Sequence, residues 1–280
     1  MNWNLFTTEL FKIFAKPRSY IGFIAIAVIV ALIHVAMYSD GKTYLEFFTT
    51  SLQQTFNISG NMLNGNLVTS IILQTLVIQI PLLVALVTGD LISGESAMGT
   101  IRLLASKPVS RTSILLSKFA AGSVYTFLLL LFLGLVSLGI GLLIFGPGDL
   151  VVVKSEEIVI LQSQDTFWRF MRALLIAFLS MIVIAAFSLC LSCYAENSIG
   201  PIITTMAVII LFTIIGTMDI PLFDKIKPFL FTTHMVIWRN FFDNPLPMEQ
   251  IKISVSVLVF HTFLFLGIAV WRFNKKDILS

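Results

Sequence analysis

Hydrophobic positions in this chain fall into long unbroken runs separated by short polar stretches, and the length of those runs decides the fold class. Six runs lie near Tyr20–Tyr38, Leu67–Thr88, Phe119–Phe145, Phe170–Tyr194, Ile199–Met218 and Ile253–Arg272. Each supplies the roughly 20 apolar residues that a helix needs to cross a ~30 Å hydrocarbon core. The third and fourth are longer and are expected to tilt or project. Strands of a membrane β-barrel are much shorter and alternate in character, so only helices fit these runs. The pattern predicts an all-α polytopic membrane protein with six transmembrane helices, forming one domain over residues 1–280.

Ahead of the first run, Trp3, Phe6, Leu10 and Ile13 recur on one side of a helix. Asn4, Thr7, Thr8, Glu9 and Lys12 fall mainly on the other. Residues 1–18 are therefore expected to form an amphipathic helix lying in the membrane interface, ended by Lys16-Pro17-Arg18. Pro81 is expected to kink the second span, because it removes a backbone N–H. Between the runs, Ser39–Asn66 and the outer loop 219–252, with its aromatic-rich Phe223–Phe242, are expected to hold short helices at the outer interface. The acidic stretch Gly146–Arg169 is expected to be a solvated loop.

Composition agrees with that outline. Charged residues make up 12% of the 280-residue chain, against about 25% in a soluble one, and mean hydropathy is +0.96. The net charge of +3 is mild and does not point to nucleic acid. No cleavable signal is evident, since no small-residue cleavage site follows a short apolar core. With the amino terminus inside, that side holds ten basic and five acidic residues, and the opposite side eight basic and ten acidic. The basic excess predicts that both termini and the loop 89–118 face the cytoplasm.

Little in the chain looks catalytic. Gly41-Lys42-Thr43 ends like a phosphate-binding loop, but the glycine required five residues earlier is Ala36. If ATP drives this protein, another chain binds it. Cys190 and Cys193 share a helical face and read as packing residues, since His34, His234 and His261 are scattered and supply no third ligand. Arg169 and Arg172 open the fourth span, where long side chains can snorkel outward. Asp90 closes the second span at the inner interface. No ionisable residue lies near the middle of a span, as an ion-coupled transporter would need. No metalloprotease helix, nucleophile elbow or intramembrane carboxylate pair appears. The expectation is a non-enzyme without cofactor or metal of its own.

The polar segment Gly89–Lys118 is the remaining candidate. It carries Arg102, Lys107, Arg111 and Lys118 between two membrane-length runs, and such a stretch is expected in water or against another protein. Glu95–Leu104 reads as a short amphipathic helix ended by Lys107-Pro108. Ser110 suits the N-cap of the helix that enters the third span, with Arg111 and Lys118 at the headgroups. A short helix joining two spans acts as a lever on both; the plainer reading is a basic loop obeying the positive-inside rule.

Glu95, Gly99-Thr100, Leu103-Leu104, Pro108-Val109-Ser110-Arg111 and Lys118 resemble the signature of ABC-transporter permeases of the type-2 exporter class. The resemblance is strongest to the bacterial branch with the nitrous-oxide-reductase maturation and gliding-motility permeases. It implies that Glu95–Ala105 is a coupling helix seated in a separate ATPase subunit, with polar contacts from Glu95 and Arg102 and close backbone approach at Gly99. Thr100, Pro108, Arg111 and Lys118 belong to the same contact region, and Glu196 to a second, smaller one. Residues 1–16 would be the connecting helix. The implied partners are an ATPase dimer holding ATP and magnesium, a second permease copy, the lipid of a bacterial inner membrane and a periplasmic accessory protein. The substrate stays open, and an aromatic ladder for sugars is missing. The competing expectations are a non-transporting membrane anchor, assembly or immunity subunit, and a secondary transporter.

Overall fold

A computed structural model of the chain describes residues 3–53, 62–76, 79–100, 108–153 and 158–276. Among the described residues, five helices are long and apolar enough to cross a membrane, and a bent pair of helices brings the number to six if it counts as one span. The protein is thus a predominantly helical polytopic membrane protein.

Helix α1 (Trp3–Ala15) stops at Pro17, and α2 (Arg18–Gln53) starts directly after it. At 36 residues, α2 runs for about 54 Å and overshoots a bilayer core. The separate short helix expected after the first run is instead its continuation as far as Gln53. The second run is broken into α3 (Gly65–Leu76) and α4 (Gln79–Thr88), inclined at 55°. Pro81 sits in the first turn of α4, where a missing N–H leaves no helical bond unmade. Helix α5 (Ser93–Ala97) is one short turn, and α6 (Arg111–Phe145) is a candidate span of 35 residues. Ser110 caps α6 as expected, its side chain accepting from the Ser113 amide at 3.2 Å.

The stretch after α6 is not a plain solvated loop. Strands β1 (Leu150–Val153) and β2 (Ile158–Leu161) pair antiparallel, Leu150 opposite Leu161. Their alternate apolar residues Leu150, Val159 and Leu161 face inward. Helix α7 (Ser163–Ser192) therefore begins well before the expected span. Helix α8 (Ile199–Thr217) follows, then α9 (Pro221–Asp224), α10 (Phe231–Met235), two 3₁₀ turns (Lys227–Phe229 and Ile237–Phe242), and α11 (Met248–Lys275).

Two apolar cores result. The larger joins α1 to α4, α6, α7, α8 and α11 around Ile26, Val84, Tyr125, Ile184 and Leu258. The smaller lies at one end of the bundle, where β1, β2 and the 3₁₀ turn at Ile237 cover Phe170 with Trp238, Phe241 and Phe242. That far end is tied by polar side chains. Asn64 accepts from the Leu67 amide and donates to the Asp149 carbonyl, and Asn66 donates to the Gly148 carbonyl. Arg169 does not snorkel outward: it is buried, and its guanidinium donates to Asp165 and to the carbonyls of Phe241 and Asp243. The opposite, terminal end carries α1, Asp90, the α7–α8 turn and the last turn of α11.

At the far end, the start of α3 meets the last turns of α6 backbone to backbone. A Cβ built at Gly65 would lie 2.6 Å from the Gly141 carbonyl, and the Gly65 amide donates to the Gly146 carbonyl at 2.9 Å. Small residues let membrane helices approach this closely. Gly65→Ala is expected to destabilise the protein by about 1–3 kcal/mol through overpacking. Gly139→Ala on the same α6, where an added Cβ meets open space, should leave stability unchanged or raise it. Thermal unfolding of the two variants in detergent micelles checks the contrast.

Candidate functional site

A lysine inside a long apolar run needs a partner, because an unpaired buried ammonium loses its hydration without compensation. Lys118 lies in the first third of α6 and is 1% exposed, enclosed by the protein itself. Its ammonium reaches Glu9 Oε2 at 2.6 Å and Glu95 Oε1 at 2.8 Å. Lys12 closes the figure, 2.7 Å from Glu9 Oε1 and 2.9 Å from Glu95 Oε1. Two carboxylates and two ammoniums thus form a closed, neutral ring linking α1, α5 and α6. Burial alone would push the Glu95 carboxyl up, but the Lys118 ammonium and then Lys12 hold it below the usual carboxylate range. Burial would likewise lower Lys12, yet hydrogen bonds to Glu9 and Glu95 hold it above the ordinary lysine value.

Forming this ring decides how α1 lies. Glu9, expected on the solvent side, is buried, and Ile13, Phe6 and Leu10 pack onto the protein core instead of the headgroups. Trp3 and Phe11 stay exposed, at 68% and 74%, and are left to face the interface.

A second charge cluster adjoins the ring. Asp90, 2% exposed, accepts from Lys16 at 2.8 Å, from Arg18 at 2.7 Å and from the Ser198 hydroxyl. Ser192 accepts from the amides of Ile92 and Ser93, which are free donors at the start of α5. The Gly89–Glu95 segment is therefore buried against the α7–α8 turn of its own chain, not exposed to water. Ring and cluster together line a cleft of about 450 Å³ between α1 and the Asp90–Thr100 segment.

Beyond Glu95 the segment turns outward. Ala97, Met98, Gly99 and Thr100 are exposed, and Thr100 donates to the Glu95 carbonyl at 3.3 Å. Gly99 has φ +69°, a left-handed conformation that suits glycine, and a Cβ there would meet nothing within 4 Å. Of the expected coupling helix Glu95–Ala105, the described part ends at Thr100. Arg102 and Lys107 lie outside the described residues. Pro108 is exposed. Arg111 stands outside the ring: its guanidinium donates to the carbonyls of Phe273, Asn274 and Lys276, tying α6 to the end of α11. Glu196 is exposed in the α7–α8 turn, next to Ala195, whose carbonyl accepts from Lys276.

The structure thus brings together Glu95 and Lys118 from the candidate set and adds Glu9, Lys12, Asp90, Ser192 and Ser198. Lys118 amid apolar neighbours, and Glu9 three residues before Lys12, are the signals that point to the ring. Among the described residues, no group of three or more His, Cys, Asp or Glu is placed to hold a metal ion, and Cys190 and Cys193 are buried free thiols.

A family model described as "Protein of unknown function (DUF2705)" matches residues 20–279. The chain is also 26% identical over 202 residues to the uncharacterized protein YhcI of Bacillus subtilis (strain 168), covering 70% of this chain and 63% of that one. It therefore spans somewhat less than two thirds of that relative's length.

Lys118→Met leaves two buried carboxylates short of a partner and is expected to cost about 3–5 kcal/mol, whereas Glu9→Gln combined with Lys118→Met should cost less than the two singles summed. The pH dependence has a definite sign. Glu95 is depressed when folded, so its contribution is present above the ordinary carboxylate pKa and lost as pH falls through the folded value. Lys12 is raised, so its contribution is present below the ordinary lysine pKa and lost as pH rises through the folded one. Unfolding temperature against pH should show both limbs, and Glu95→Gln should flatten the acid one.

Proposed function

We propose that this chain, which belongs to the DUF2705 family, is the membrane-spanning subunit of an ATP-driven exporter whose ATPase is a separate chain. The observation that carries the reading is the neutral ion-pair ring of Glu9, Lys12, Glu95 and Lys118. It fuses α1, the segment leading to Thr100 and the start of α6 into one unit at the terminal end. At the mouth of the cleft beside that unit, Met98, Gly99 and Thr100 are exposed in a turn.

A force applied at that turn is delivered through stiff connections. Glu95 passes it to α6 through Lys118 and to α1 through Lys12. Asp90 passes it to α2 through Arg18 and to α8 through Ser198. Ser192 carries it to α7. Packed, ion-paired contacts of this kind move as a body instead of deforming. The reading agrees with the resemblance of Glu95, Gly99-Thr100, Pro108 and Arg111 to the type-2 exporter signature, and it assigns ATP binding to the partner. In this reading the chain works as a pair of copies in a bacterial inner membrane, termini inside.

The reading separates residues that hold the unit together from residues that meet the partner. Met98→Glu and Thr100→Arg are exposed changes, expected to shift stability by no more than about 0.5 kcal/mol. Both should lower co-purification with an ATPase expressed alongside the chain. Glu95→Lys should lower unfolding temperature and association together. ATP hydrolysis by the chain purified alone, or full ATPase retention by Met98→Glu with Thr100→Arg, would overturn the proposal. A retained ATPase whose turnover never depends on the chain would favour a docking anchor that moves nothing.

A further inference from the structure

We propose that an apolar slot in the half of the bundle away from the termini is a binding site for one alkyl chain, that of a lipid or of a lipid-like molecule, lying along the spans. The inference does not depend on the coupling role above. The slot has a volume of about 310 Å³ and is bordered by Leu76, Pro81, Leu133, Met181, Met206 and Ile210, from the broken second span, α6, α7 and α8. Its far end is roofed by Thr232 and Met235 of α10 and by Trp238. The 55° bend lies beside it, with Leu73 and Leu76 on one side of the bend and Ile80 and Pro81 on the other.

Three features select the occupant. The first is chemistry. Among the described lining residues none is charged, and the only hydroxyls are those of Thr213 and Thr232. A buried water needs about two to four polar partners; the Thr232 hydroxyl, buried without a partner, could hold one at the roof, but the rest of the lining is almost wholly apolar, and dry apolar cavities of about 150 Å³ take up small hydrocarbons. Water is therefore a poor tenant and hydrocarbon a good one.

The second is shape. The lining runs from Ala173 to Met181 on α7 and from Met206 to Ile214 on α8, about 12 Å of rise on each helix. The space is long in the direction in which acyl chains run in a bilayer, so a chain fits it better than a compact ring system. The third is adaptability. Met181, Met206 and Met235 put three flexible, polarisable side chains on the wall, which can follow a chain of variable length or unsaturation. The lining belongs to helices that are candidate spans, so the surrounding medium itself offers the ligand.

Trp238 provides the readout. It borders the slot and is 7% exposed, while Trp3, Trp168 and Trp271 are 68%, 61% and 56% exposed. The full chain carrying Trp3→Phe, Trp168→Phe and Trp271→Phe is reconstituted in nanodiscs of phosphatidylcholine, with or without bromine on the acyl chain. Bromine quenches an indole that touches it, so Trp238 emission is expected to fall by about twofold in the brominated lipid. Ala177→Phe, which fills the slot, should restore most of that emission. If Ala177→Phe does not fold, Ala173→Leu should give a smaller recovery in the same direction.

A titration with brominated fatty acid in unbrominated lipid distinguishes the sources of the chain. Saturable quenching identifies a site for a free alkyl ligand, and quenching by the brominated phospholipid alone identifies a bilayer lipid. Either result supports the site. Quenching that is equal in the open slot and in the filled variant, or no quenching at all, overturns it.

Discussion

An ammonium cannot be left bare inside apolar protein, and the terminal end of this bundle is arranged around satisfying the one on Lys118. Glu9 and Glu95 approach it from two elements that are far apart in the chain, and Lys12 neutralises the excess negative charge they bring. To reach the ring, α1 must turn its Glu9 face inward. That rotation is why Ile13 is buried while Phe11 is left outside. The same requirement draws Ser93–Glu95 under the bundle, where Ser192 supplies an acceptor for the amides that start α5. Asp90 repeats the logic next door with Lys16, Arg18 and Ser198. The buried charges hold elements in place more than they add net stability, since a buried ion pair roughly breaks even against an apolar replacement.

The far end meets a different constraint with different means. Irregular backbone near a membrane must have its carbonyls and amides bonded. Here Asn64, Asn66 and Arg169 donate to the carbonyls of Asp149, Gly148, Phe241 and Asp243. The hairpin and the short helices close over Phe170 and Trp238, and the space they leave beneath is the apolar slot. A bundle so built has a charged end held by ion pairs, an apolar middle, and a roofed far end where α3 and α6 meet closely at Gly65 and Gly141. Helices α7 and α8 border both the charged end and the slot.

Much of this organisation was legible in the residues. The long apolar runs announced the membrane helices, Pro17 marked a stop, and Ser110 marked the start of α6. The legible features are local ones, governed by hydrophobic length, backbone restriction and capping. The failures were non-local. Gly146–Arg169 looked like solvated loop because its acidic residues dominate the reading, and the pairing of Leu150 with Leu161 emerges only when the two strands have the far end of α7 to cover. Ser39–Gln53 looked like a separate element because Asp40, Gly41 and Lys42 interrupt the apolar pattern, yet a helix tolerates polar residues once it leaves the hydrocarbon.

The candidate site divides along the same line. By itself the sequence determined that Gly89–Lys118 is a polar interruption between spans, that Glu95 and Lys118 belong to it, and that Ser110 starts the helix that follows. All of these follow from residue type and spacing along the chain. Only the tertiary structure decided that Glu95 and Lys118 face each other, that Glu9 and Lys12 complete their ring, and that Arg111 serves the end of α11. A charge in a sequence shows only that it must be satisfied. Which opposite charge satisfies it depends on which helices pack together, and that is settled by apolar surfaces distributed over the whole chain.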